Sequence, residues 1–302
     1  MKVAVGASSF SQSSDRALRL LTDKGIEVVK NPYGRKMTVD ETIRHLQGAD
    51  GLLAGLELLN EDVLSKAPTL KAIARIGIGM DNVDIEAVKR RKIALSNTPD
   101  APTEAVAEMT MAALLAIGHK LIQCNDEMHR NIWKKHIGFS LKNLNVLLIG
   151  YGRIGKRVKC MLNVFGSNIK AYDEYLSGYD TDLEQKLAWA DVISLHASGN
   201  KEVLTPERFG KMKNGVVILN SARGALLNEQ ALVEALESGR VSYFWGDVFW
   251  QEPYEGKLQN IENAILTPHI ATYNSYCRET MEVEAVENLL YDLEMAFVRM
   301  EG

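Results

Sequence analysis

The sequence predicts an α/β protein with two doubly wound parallel sheets, and three observations support this fold class. From the first residue, short apolar runs alternate with amphipathic helical stretches, which is typical of strands joined by helical crossovers. The chain has 302 residues, about twice the commonest domain size. The alternation is interrupted once, near Thr98, and then starts again. We therefore expect two domains, each with a sheet covered on both faces.

The first series of elements predicts a five-stranded sheet. One helical pattern extends over residues 15–24 and ends at Gly25, a favourable residue just after a helix. Another carries Ile43 and Leu46 on one face, and Asp40 is expected to cap its start. The predicted strands cover residues 3–5, 26–29, 52–54, 70–76 and 93–95.

Prolines separate the two series. Pro99 disfavours helix in the residue before it, and Pro102 suits the first turn of a long helix that should extend to about Leu121. The second series predicts six strands, as in dinucleotide-binding folds, at residues 146–149, 169–172, 192–195, 216–219, 243–245 and 265–267. A helical pattern over residues 276–298 could return to the first series. The predicted domains are residues 1–98 plus 275–302, and residues 99–274.

Composition excludes several classes of protein. Hydrophobic residues make up 46% and charged residues 25%, the balance of a globular protein with an ordinary core. The net charge is −4 and no basic run is interleaved with aromatic residues, so nucleic acid is not an expected partner. The start, MKVAVGASSF, lacks the features of a signal peptide, and no segment approaches the roughly 20 apolar residues that span a bilayer. We expect a cytoplasmic protein with no membrane partner.

The three cysteines point to no disulfide framework and no metal centre. Cys124, Cys160 and Cys277 are odd in number, far apart and outside any metal-ligand spacing. Small buried hydrophobic residues are the expected role of free cysteines. The sequence therefore predicts no metal cofactor.

A glycine-rich motif follows the predicted strand 146–149 and precedes an amphipathic helix. In Gly150-Tyr151-Gly152-Arg153-Ile154-Gly155, the first glycine permits a tight turn, the second lets backbone approach a pyrophosphate, and the third lets helix pack on strand. Asp173 ends the next strand, roughly 20 residues further on, where a carboxylate binds ribose hydroxyls and repels a 2′-phosphate. Asp173 could instead be a turn or cap residue, but the motif beside it favours NAD as cofactor.

Three further polar segments each follow a predicted strand. Because ligands bind outside the carboxyl ends of parallel strands, these loops should converge on one crevice. Taken singly, Arg223 could form an ion pair, Glu252 could lie in a turn and His269 could be a structural histidine. Together they favour redox chemistry between a carbonyl and an alcohol. The segments are Asn220-Ser221-Ala222-Arg223-Gly224, Gly246-Asp247-Val248-Phe249-Trp250-Gln251-Glu252-Pro253 and Leu266-Thr267-Pro268-His269-Ile270-Ala271.

These segments, in this order after the glycine motif, resemble the D-2-hydroxyacid dehydrogenase family, which includes phosphoglycerate dehydrogenase and the glyoxylate/hydroxypyruvate reductases. The resemblance spans almost the whole chain, because it also covers residues 75–84 (RIGIGMDNVD), 97–99 (NTP) and 106–108 (VAE). It implies a flavodoxin-like substrate domain and a Rossmann NAD-binding domain. It further implies an NAD-dependent oxidoreductase that transfers a hydride between the nicotinamide and C2 of a D-2-hydroxy acid or 2-keto acid.

The resemblance assigns roles to particular residues. Arg223 binds the carboxylate and carbonyl oxygen of the substrate, His269 is the acid/base, and Glu252 is the partner of that histidine. The chemistry agrees, because the hydroxyl must lose a proton as the hydride leaves C2, and a carboxylate stabilises the imidazolium. The Gly77-Ile78-Gly79 loop, after Arg75, should present backbone N–H groups to the substrate carboxylate. The remaining implied cofactor contacts are Arg153 and Ile154 at the pyrophosphate, Asp247 at the nicotinamide carboxamide, Ser221 and Ala222 beside the nicotinamide, and Ile78 and Thr103.

Two segments bear on the cofactor loop and on assembly. The family usually has a proline two residues after the histidine that follows the third strand, whereas this chain has His196-Ala197-Ser198. This departure puts cofactor contacts such as Ser198 in doubt, and we expect His196 to be structural. Trp133 lies where the family has an arm used in dimer contacts, so a homodimer is implied, although a packed aromatic residue explains Trp133 equally well.

The substrate stays open at this point. Arg75 and Arg35 could bind a phosphate, and an ion pair is an equal alternative for Arg75. Residues 31–35 (NPYGR) resemble phosphoglycerate-dehydrogenase-like members, which favours 3-phosphoglycerate. The alternatives are a glyoxylate/hydroxypyruvate reductase, another D-2-hydroxy acid dehydrogenase or a phosphite dehydrogenase. No regulatory domain follows in this sequence, so feedback by serine is not expected.

One alternative belongs to a different class of protein. Related chains act as NAD-sensing transcriptional corepressors on the same fold, and fold alone does not exclude this. Arg223, Glu252 and His269 do not decide between the classes, because such corepressors can keep them. The lack of long interaction tails favours a metabolic enzyme.

Overall fold

The computed structural model describes the backbone of residues 1–301 and the side chains of residues 1–296. The chain divides into two compact units, one formed by Met1–Pro102 with Tyr273 onward and the other by Thr103–Thr272. Gly302, the last residue of the predicted first domain, lies outside the described residues. All eleven predicted strands are present, each within two residues of its predicted ends.

The first unit contains a five-stranded parallel sheet in the order β2-β1-β3-β4-β5, the flavodoxin-like order. The strands are β1 (Lys2–Val5), β2 (Glu27–Lys30), β3 (Gly51–Ala54), β4 (Ala72–Arg75) and β5 (Ala94–Asn97). The helices are α1 (Arg16–Thr22), α2 (Val39–His45), α3 (Glu61–Ser65), α4 (Ile85–Arg90) and α11 (Ser275–Glu301). Helix α11 packs against β3, β4 and β5, where Leu289 and Leu293 fill the space beside Gly51.

The second unit contains a six-stranded parallel sheet in the order β11-β10-β9-β8-β6-β7. Its strands are β6 (Asn145–Ile149), β7 (Asn168–Tyr172), β8 (Val192–Leu195), β9 (Val216–Asn220), β10 (Val241–Gly246) and β11 (Ala264–Leu266). Its helices are α5 (Ala101–Gly118), α6 (Leu121–His129), α7 (Arg153–Val164), α8 (Leu183–Trp189), α9 (Pro206–Phe209) and α10 (Glu229–Glu237). Helix α5 ends before the predicted Leu121, because Lys120 adopts a left-handed conformation with φ 55°.

Burial explains why short apolar runs were sufficient to identify the strands. Every residue of β3, β8 and β9 is buried, since both faces of each sheet are covered. The core of the first unit includes Leu52 and Ile73. On one face of the second sheet the core includes Leu147 and Ile193, and on the other Trp245 lies among α5 and α7 side chains.

The start of α2 differs from the expectation. Thr38, rather than Asp40, is the N-cap residue, and Asp40 lies in the first helical turn. The Thr38 hydroxyl accepts the backbone N–H of Glu41, and the Glu41 carboxylate accepts the backbone N–H of Thr38. Because Glu41 stands three residues after Thr38, the pair completes a capping box, which Asp40 and Ile43 could not form.

Two features of the described residues bear on membranes and metals. Within residues 1–301, no single helix is both long and apolar enough to cross a membrane. Helices α5 and α6 together satisfy the criteria of length and composition, but they are bent by 61° at their junction. Among the side chains that the structure describes, no group of three or more His, Cys, Asp or Glu residues is placed to hold a metal ion.

Candidate active site

The carboxyl end of β6 is the place where the strand order of the second sheet reverses. Strand β6 has β7 on one side and β8 on the other, so successive connections run to opposite sides of it. In doubly wound sheets such a switch point opens a crevice in which ligands bind. The Gly150–Gly155 loop begins directly after Ile149, the last residue of β6. The motif found in the sequence therefore lies where a nucleotide is expected.

The three glycines of this loop have different surroundings. Gly150 has φ +96°, and a Cβ there would lie 2.2 Å from the backbone nitrogen of Ala197, which follows β8. A Cβ at Gly155 would lie 2.2 Å from the carbonyl oxygen of Gly150, so helix α7 starts in close contact with the turn. A Cβ at Gly152 would meet no atom within 4 Å. The first and third glycines are needed for packing, and the second faces open space that a ligand could use.

The start of α7 has the properties of an anion site. Gly152 is the N-cap residue, and Arg153 and Ile154 occupy the first two helical positions. The first N–H groups of a helix have no acceptor within the helix, and they carry partial positive charge. With no side chain at Gly152, this end of α7 fits the pyrophosphate of a dinucleotide.

Asp173 is connected to the glycine loop by a direct hydrogen bond. Its Oδ2 accepts the backbone N–H of Tyr151 at 2.8 Å, and its Oδ1 accepts the backbone N–H of Tyr175 at 3.0 Å. The carboxylate thus stabilises the turn after β7 and also the loop after β6. Each oxygen retains a lone pair that could accept a ribose hydroxyl.

Arg223 follows β9 and is held in place by Asn220. The Asn220 amide accepts the backbone N–H of Ala222 at 3.0 Å and donates to the carbonyl of Arg223 at 2.9 Å. Asn220 is 1% exposed, so this bracing is internal to the unit. Ser221 lies beside Thr110, with 3.3 Å between the two hydroxyl oxygens, and Ala222 is buried.

Gly224 brings the Arg223 segment against the segment that carries Glu252. A Cβ at Gly224 would lie 2.2 Å from the carbonyl carbon of Phe249 and 2.4 Å from the nitrogen of Trp250. The two backbones therefore touch, which a side chain would prevent. With these segments in contact, the positive charge of Arg223 helps to lower the pKa of the Glu252 carboxyl.

His269 and Glu252 form the central pair of the site. Nδ1 of His269 is 2.8 Å from Oε2 of Glu252, and Oε1 of Glu252 accepts the backbone N–H of Phe249 at 3.2 Å. Burial alone would raise the pKa of Glu252, but the hydrogen bond and charge of His269, the N–H of Phe249 and the charge of Arg223 together lower the pKa of that carboxyl below its ordinary value. Because Nδ1 faces Glu252, Nε2 is the ring nitrogen that can exchange a proton with a ligand.

The backbone around His269 is fixed by Asp247. His269 has φ +53°, a left-handed conformation that a residue with a side chain seldom adopts. Asp247 is 1% exposed, and its Oδ1 accepts the hydroxyl of Thr267 at 2.6 Å and the N–H of Ile270 at 2.9 Å. Its Oδ2 accepts the N–H of Ala271 at 2.9 Å. The carboxylate thus binds residues on both sides of His269 and maintains the strained turn.

The glycine loop of the first unit follows β4. Gly77 has φ +129°, and a Cβ there would lie 2.5 Å from a terminal nitrogen of the Arg75 guanidinium. The N–H of Gly77 donates to the hydroxyl of Thr98 at 2.8 Å. The N–H of Gly77 is therefore used within the protein and is not among the N–H groups that the loop could present to a ligand. The candidates that remain are Ile78 and Gly79.

The other residues singled out in the sequence have the following positions. Ile78 belongs to the first unit, whereas Thr103 lies on α5 in the second. Burial of the ring lowers the pKa of His196 to about 3, and its Nε2 lies 2.8 Å from the hydroxyl of Ser194. A histidine in this state fits the structural role expected for it. Ser198 is part of the irregular segment after β8.

Arg35 is engaged by a carboxylate of its own unit. Its two terminal nitrogens lie 2.9 and 2.8 Å from the two carboxylate oxygens of Glu41. The hydrogen bond from Arg35, followed by that from the Thr38 backbone, lowers the pKa of Glu41 to about 2. Of the two arginines considered for a phosphate, Arg35 is thus paired with Glu41, whereas the guanidinium of Arg75 lies beside Gly77 at the start of the glycine loop.

Sequence reasoning assigned no role to Asn220 and did not recognise Asp247 as a brace of the His269 turn. Asn220 comes directly after the predicted strand 216–219, and Asp247 comes two residues after the predicted strand 243–245. A polar residue at the end of a buried strand is a signal, because it must find a partner inside the protein. The partner itself could not be read from the sequence.

Comparison with known proteins identifies the family. The family model described as "D-isomer specific 2-hydroxyacid dehydrogenase, NAD binding domain" matches residues 111–271. A D-3-phosphoglycerate dehydrogenase of Methanocaldococcus jannaschii is 34% identical over 271 residues, which are 84% of this chain and 51% of that protein. A hydroxypyruvate reductase of Thermotoga maritima is 32% identical over 269 residues, which are 84% of this chain and 88% of that protein.

The similarity extends to solved structures. A crystal structure of a protein from Thermus thermophilus is 34% identical, with a TM-score of 0.89, and the match covers 97% of both chains. This chain spans about half the length of the matched D-3-phosphoglycerate dehydrogenase and most of the length of the matched hydroxypyruvate reductase.

The surroundings of the glycines predict different outcomes for two substitutions. Gly155→Ala should destabilise the protein by about 1–3 kcal/mol, because its Cβ collides with the Gly150 carbonyl. Gly152→Ala should change stability by less than about 1 kcal/mol, since its Cβ meets no protein atom, yet weaken NADH binding by roughly tenfold. Urea unfolding and titration of NADH fluorescence measure the two effects. Equal loss of stability in both variants would contradict this account.

Proposed function

Because the chain belongs to the D-isomer specific 2-hydroxyacid dehydrogenase family, we propose that it interconverts a D-2-hydroxy acid and its 2-keto acid with NAD. The observation that supports this most is the contact of 2.8 Å between His269 Nδ1 and Glu252, with the charge of Arg223 acting on the same carboxylate. It joins a proton-transfer group, its carboxylate partner and a cation suited to an acid substrate.

The geometry of the second unit supports the following proposed roles. When bound, NAD supplies a nicotinamide that accepts the hydride from C2 of the hydroxy acid. Nε2 of His269 takes the hydroxyl proton in this direction and returns it in the reductive one. Glu252 stabilises the protonated imidazole through Nδ1, and Arg223 presents a planar fork to the carboxylate and the C2 oxygen.

We propose that residues 99–274 form the NAD-binding domain. Gly150, Gly152 and Gly155 shape the turn, the N–H groups of Arg153 and Ile154 bind the pyrophosphate, and Asp173 accepts the ribose hydroxyls. The other proposed cofactor contacts are Ser221, Ala222, Asp247, Ile78 and Thr103. Asp247 already accepts three hydrogen bonds from residues around His269, so a contact with the carboxamide would be a second task for its Oδ2.

We propose that residues 1–98 plus 275–302 form the substrate-binding domain. The carboxylate of the acid is bound by backbone N–H groups of Ile78 and Gly79, with Gly77 shaping the loop and Arg75 beside it. The relatives named above are a hydroxypyruvate reductase and a D-3-phosphoglycerate dehydrogenase, and apart from the oxidation state of C2 the two acids in these names differ by a phosphate group. Both are candidates for this site at the level of the family.

A homodimer is part of the proposal, and the surface of residues 121–137 supports it. Helix α6 has no buried residue. Trp133 is 81% exposed and Ile137 is 97% exposed, with Leu121, Met128 and Ile132 exposed near them in sequence. A packed aromatic residue within this chain therefore does not explain Trp133. Apolar side chains in such a run indicate a protein partner, and a second copy of the chain is the occupant we propose.

A cytoplasmic location is also proposed. Cys124, Cys160 and Cys277 are free thiols, which is the usual state of cysteines in a reducing compartment.

Loss of the acid/base should abolish most of the turnover. The purified protein should oxidise NADH with at least one of glyoxylate, hydroxypyruvate and 3-phosphohydroxypyruvate. His269→Ala should lower that rate by a factor on the order of 10² to 10⁴, while NADH binding stays nearly intact. His119→Ala, which changes an exposed histidine outside the site, is the matched control. Unchanged turnover in His269→Ala would exclude the role given to His269.

Removal of the carboxylate after β7 should alter the choice of cofactor. Asp173→Ala should lower the ratio of kcat/KM with NADH to kcat/KM with NADPH, because the negative charge that repels a 2′-phosphate is lost. Asp173→Asn removes the charge but keeps an oxygen acceptor for one of the two N–H groups, of Tyr151 or Tyr175, and should lower the ratio as well. If both variants keep the wild-type ratio, Asp173 does not face the ribose.

The oligomeric state tests the surface of residues 121–137. Sedimentation should give a mass of about 67 kDa, twice the 33.6 kDa of one chain. The double substitution of Trp133→Ser with Ile137→Ser should shift the protein towards the monomer. Val164→Ser, which changes an 86% exposed residue on α7, should leave the dimer intact. A double variant that stays dimeric would place the interface elsewhere.

A further inference from the structure

Two leucine side chains are exposed directly after β3, at the carboxyl edge of the first sheet. Leu56 is 51% exposed and Leu58 is 41% exposed. Their neighbours along the chain, Gly55, Glu57 and Leu59, are all buried. The segment therefore turns its other residues inwards and presents two apolar side chains at this edge of the sheet.

Glu57 fixes the segment in this orientation. It is 1% exposed, and both of its carboxylate oxygens accept the backbone N–H of Gly55 at 3.0 Å. A Cβ at Gly6, just after β1, would lie 1.9 Å from Oε1 of Glu57, so the lack of a side chain at Gly6 leaves the space that this carboxyl group fills. With Glu57 enclosed in the protein, the leucines on either side of it stay at the surface.

Hydrogen bonds hold this segment alongside the glycine loop that follows β4. Before the loop, the N–H of Ile76 donates to the carbonyl of Ala54 at 3.0 Å. After the loop, the side-chain amide of Asn82 donates to the carbonyl of Glu57 at 2.6 Å. The N–H of Leu59 donates to the carbonyl of Asn82 at 2.8 Å. The chain is therefore bonded to the segment that carries the leucines both where the loop begins and where it ends.

The other neighbour of the loop offers a different surface. After β5, the side-chain amide of Asn97 donates to the carbonyl of Ile78 at 3.0 Å, and the hydroxyl of Thr98 accepts the N–H of Gly77 at 2.8 Å. Thr98 is completely buried. The polar side chains on this side hold the loop itself, whereas the leucines on the β3 side are exposed.

On the function proposed above, we infer that Leu56 and Leu58 bind the substituent at C3 of the acid and make the first unit selective for 2-keto and 2-hydroxy acids with an apolar side chain. The backbone N–H groups of Ile78 and Gly79 hold the carboxylate, and C3 is bonded to the carbon that carries it. A small acid anchored at the loop thus extends its substituent along the β3 side. Sites for small molecules commonly combine a few backbone N–H groups with an apolar lining.

Solvation favours an alkyl substituent at this place over a phosphate. An alkyl group that covers the leucines removes apolar surface of both partners from water, which stabilises the complex. A phosphate carries a charge of about −1.5 to −2 at neutral pH, and leucine side chains offer it no hydrogen bond in exchange for the water that it would lose. Arg75, whose guanidinium lies beside Gly77, is the feature that would favour a phosphate, so the experiment compares both classes of acid.

Kinetics with NADH and calorimetry measure the preference for the C3 substituent. From pyruvate to 2-oxobutanoate and 2-oxopentanoate, kcat/KM should rise about fourfold for each added methylene group, and 3-phosphohydroxypyruvate should be a poorer substrate than 2-oxopentanoate. Calorimetry uses the protein saturated with NADH, which cannot oxidise a hydroxy acid. It should show tighter binding of D-2-hydroxypentanoate than of D-lactate or 3-phospho-D-glycerate.

Two variants separate the leucines from apolar surface elsewhere in the unit. The double substitution of Leu56→Ser with Leu58→Ser should lower the ratio of kcat/KM for 2-oxopentanoate to kcat/KM for pyruvate by roughly tenfold. Met295→Ser is the matched control, because it changes a 40% exposed apolar residue of α11, close in sequence to the Leu293 that packs beside Gly51 at the opposite end of β3. It should keep the wild-type ratio.

The inference is overturned if the wild type binds or turns over the phosphorylated acid better than the alkyl acid, whether or not the double variant folds. It also fails if kcat/KM does not rise along the alkyl series, or if the double variant keeps the wild-type ratio. Turnover of any of these keto acids in such a case leaves the proposed function standing. If D-2-hydroxypentanoate binds in preference but no keto acid is turned over, the inference stands and the proposed function fails. If no acid binds and none is turned over, both fail.

Discussion

The arrangement of the second unit depends on backbone segments that approach one another more closely than any side chain would allow. Gly150 touches the segment after β8, Gly155 touches the carbonyl of Gly150, and Gly224 touches the backbone at Phe249 and Trp250. The first two contacts place the start of α7 at the switch point of the sheet. The third places the Arg223 segment against the one that carries Glu252. The glycine loop and the candidate catalytic groups thus depend on the same constraint.

Buried polar side chains turn these close approaches into fixed geometry. Asn220 braces the backbone on which Arg223 stands, and Asp247 holds the residues on both sides of His269. Both are almost fully buried, and a buried polar group without a partner destabilises a fold by about 1–3 kcal/mol. Their partners are backbone groups of irregular segments, which no strand or helix would otherwise satisfy. Charged side chains at the rim can therefore stay exposed while their backbone is rigid.

The first unit also has glycines at the ends of strands and polar side chains that bind backbone groups, but they surround a different group. Its glycines at strand ends, Gly6 and Gly55, make room for a carboxylate of the protein, whereas Gly152 of the second unit leaves room for a ligand. Thr98 and Asn82 anchor the loop after β4 from two sides.

The sequence by itself determined the fold class, the strands to within two residues, the glycine loop and the candidate triad, because these depend on local periodicity and on residue types at the ends of strands. It did not determine which polar residue meets which. Thr38 rather than Asp40 caps α2, because Thr38 and Glu41 complete a local pair of hydrogen bonds. Contacts between segments distant in sequence decide that Thr98 accepts the Gly77 N–H and that Glu57 is buried. An isolated glutamate after a short strand looks exposed in a sequence. Only the tertiary structure, by placing Gly6 beside it, decided that Glu57 is enclosed.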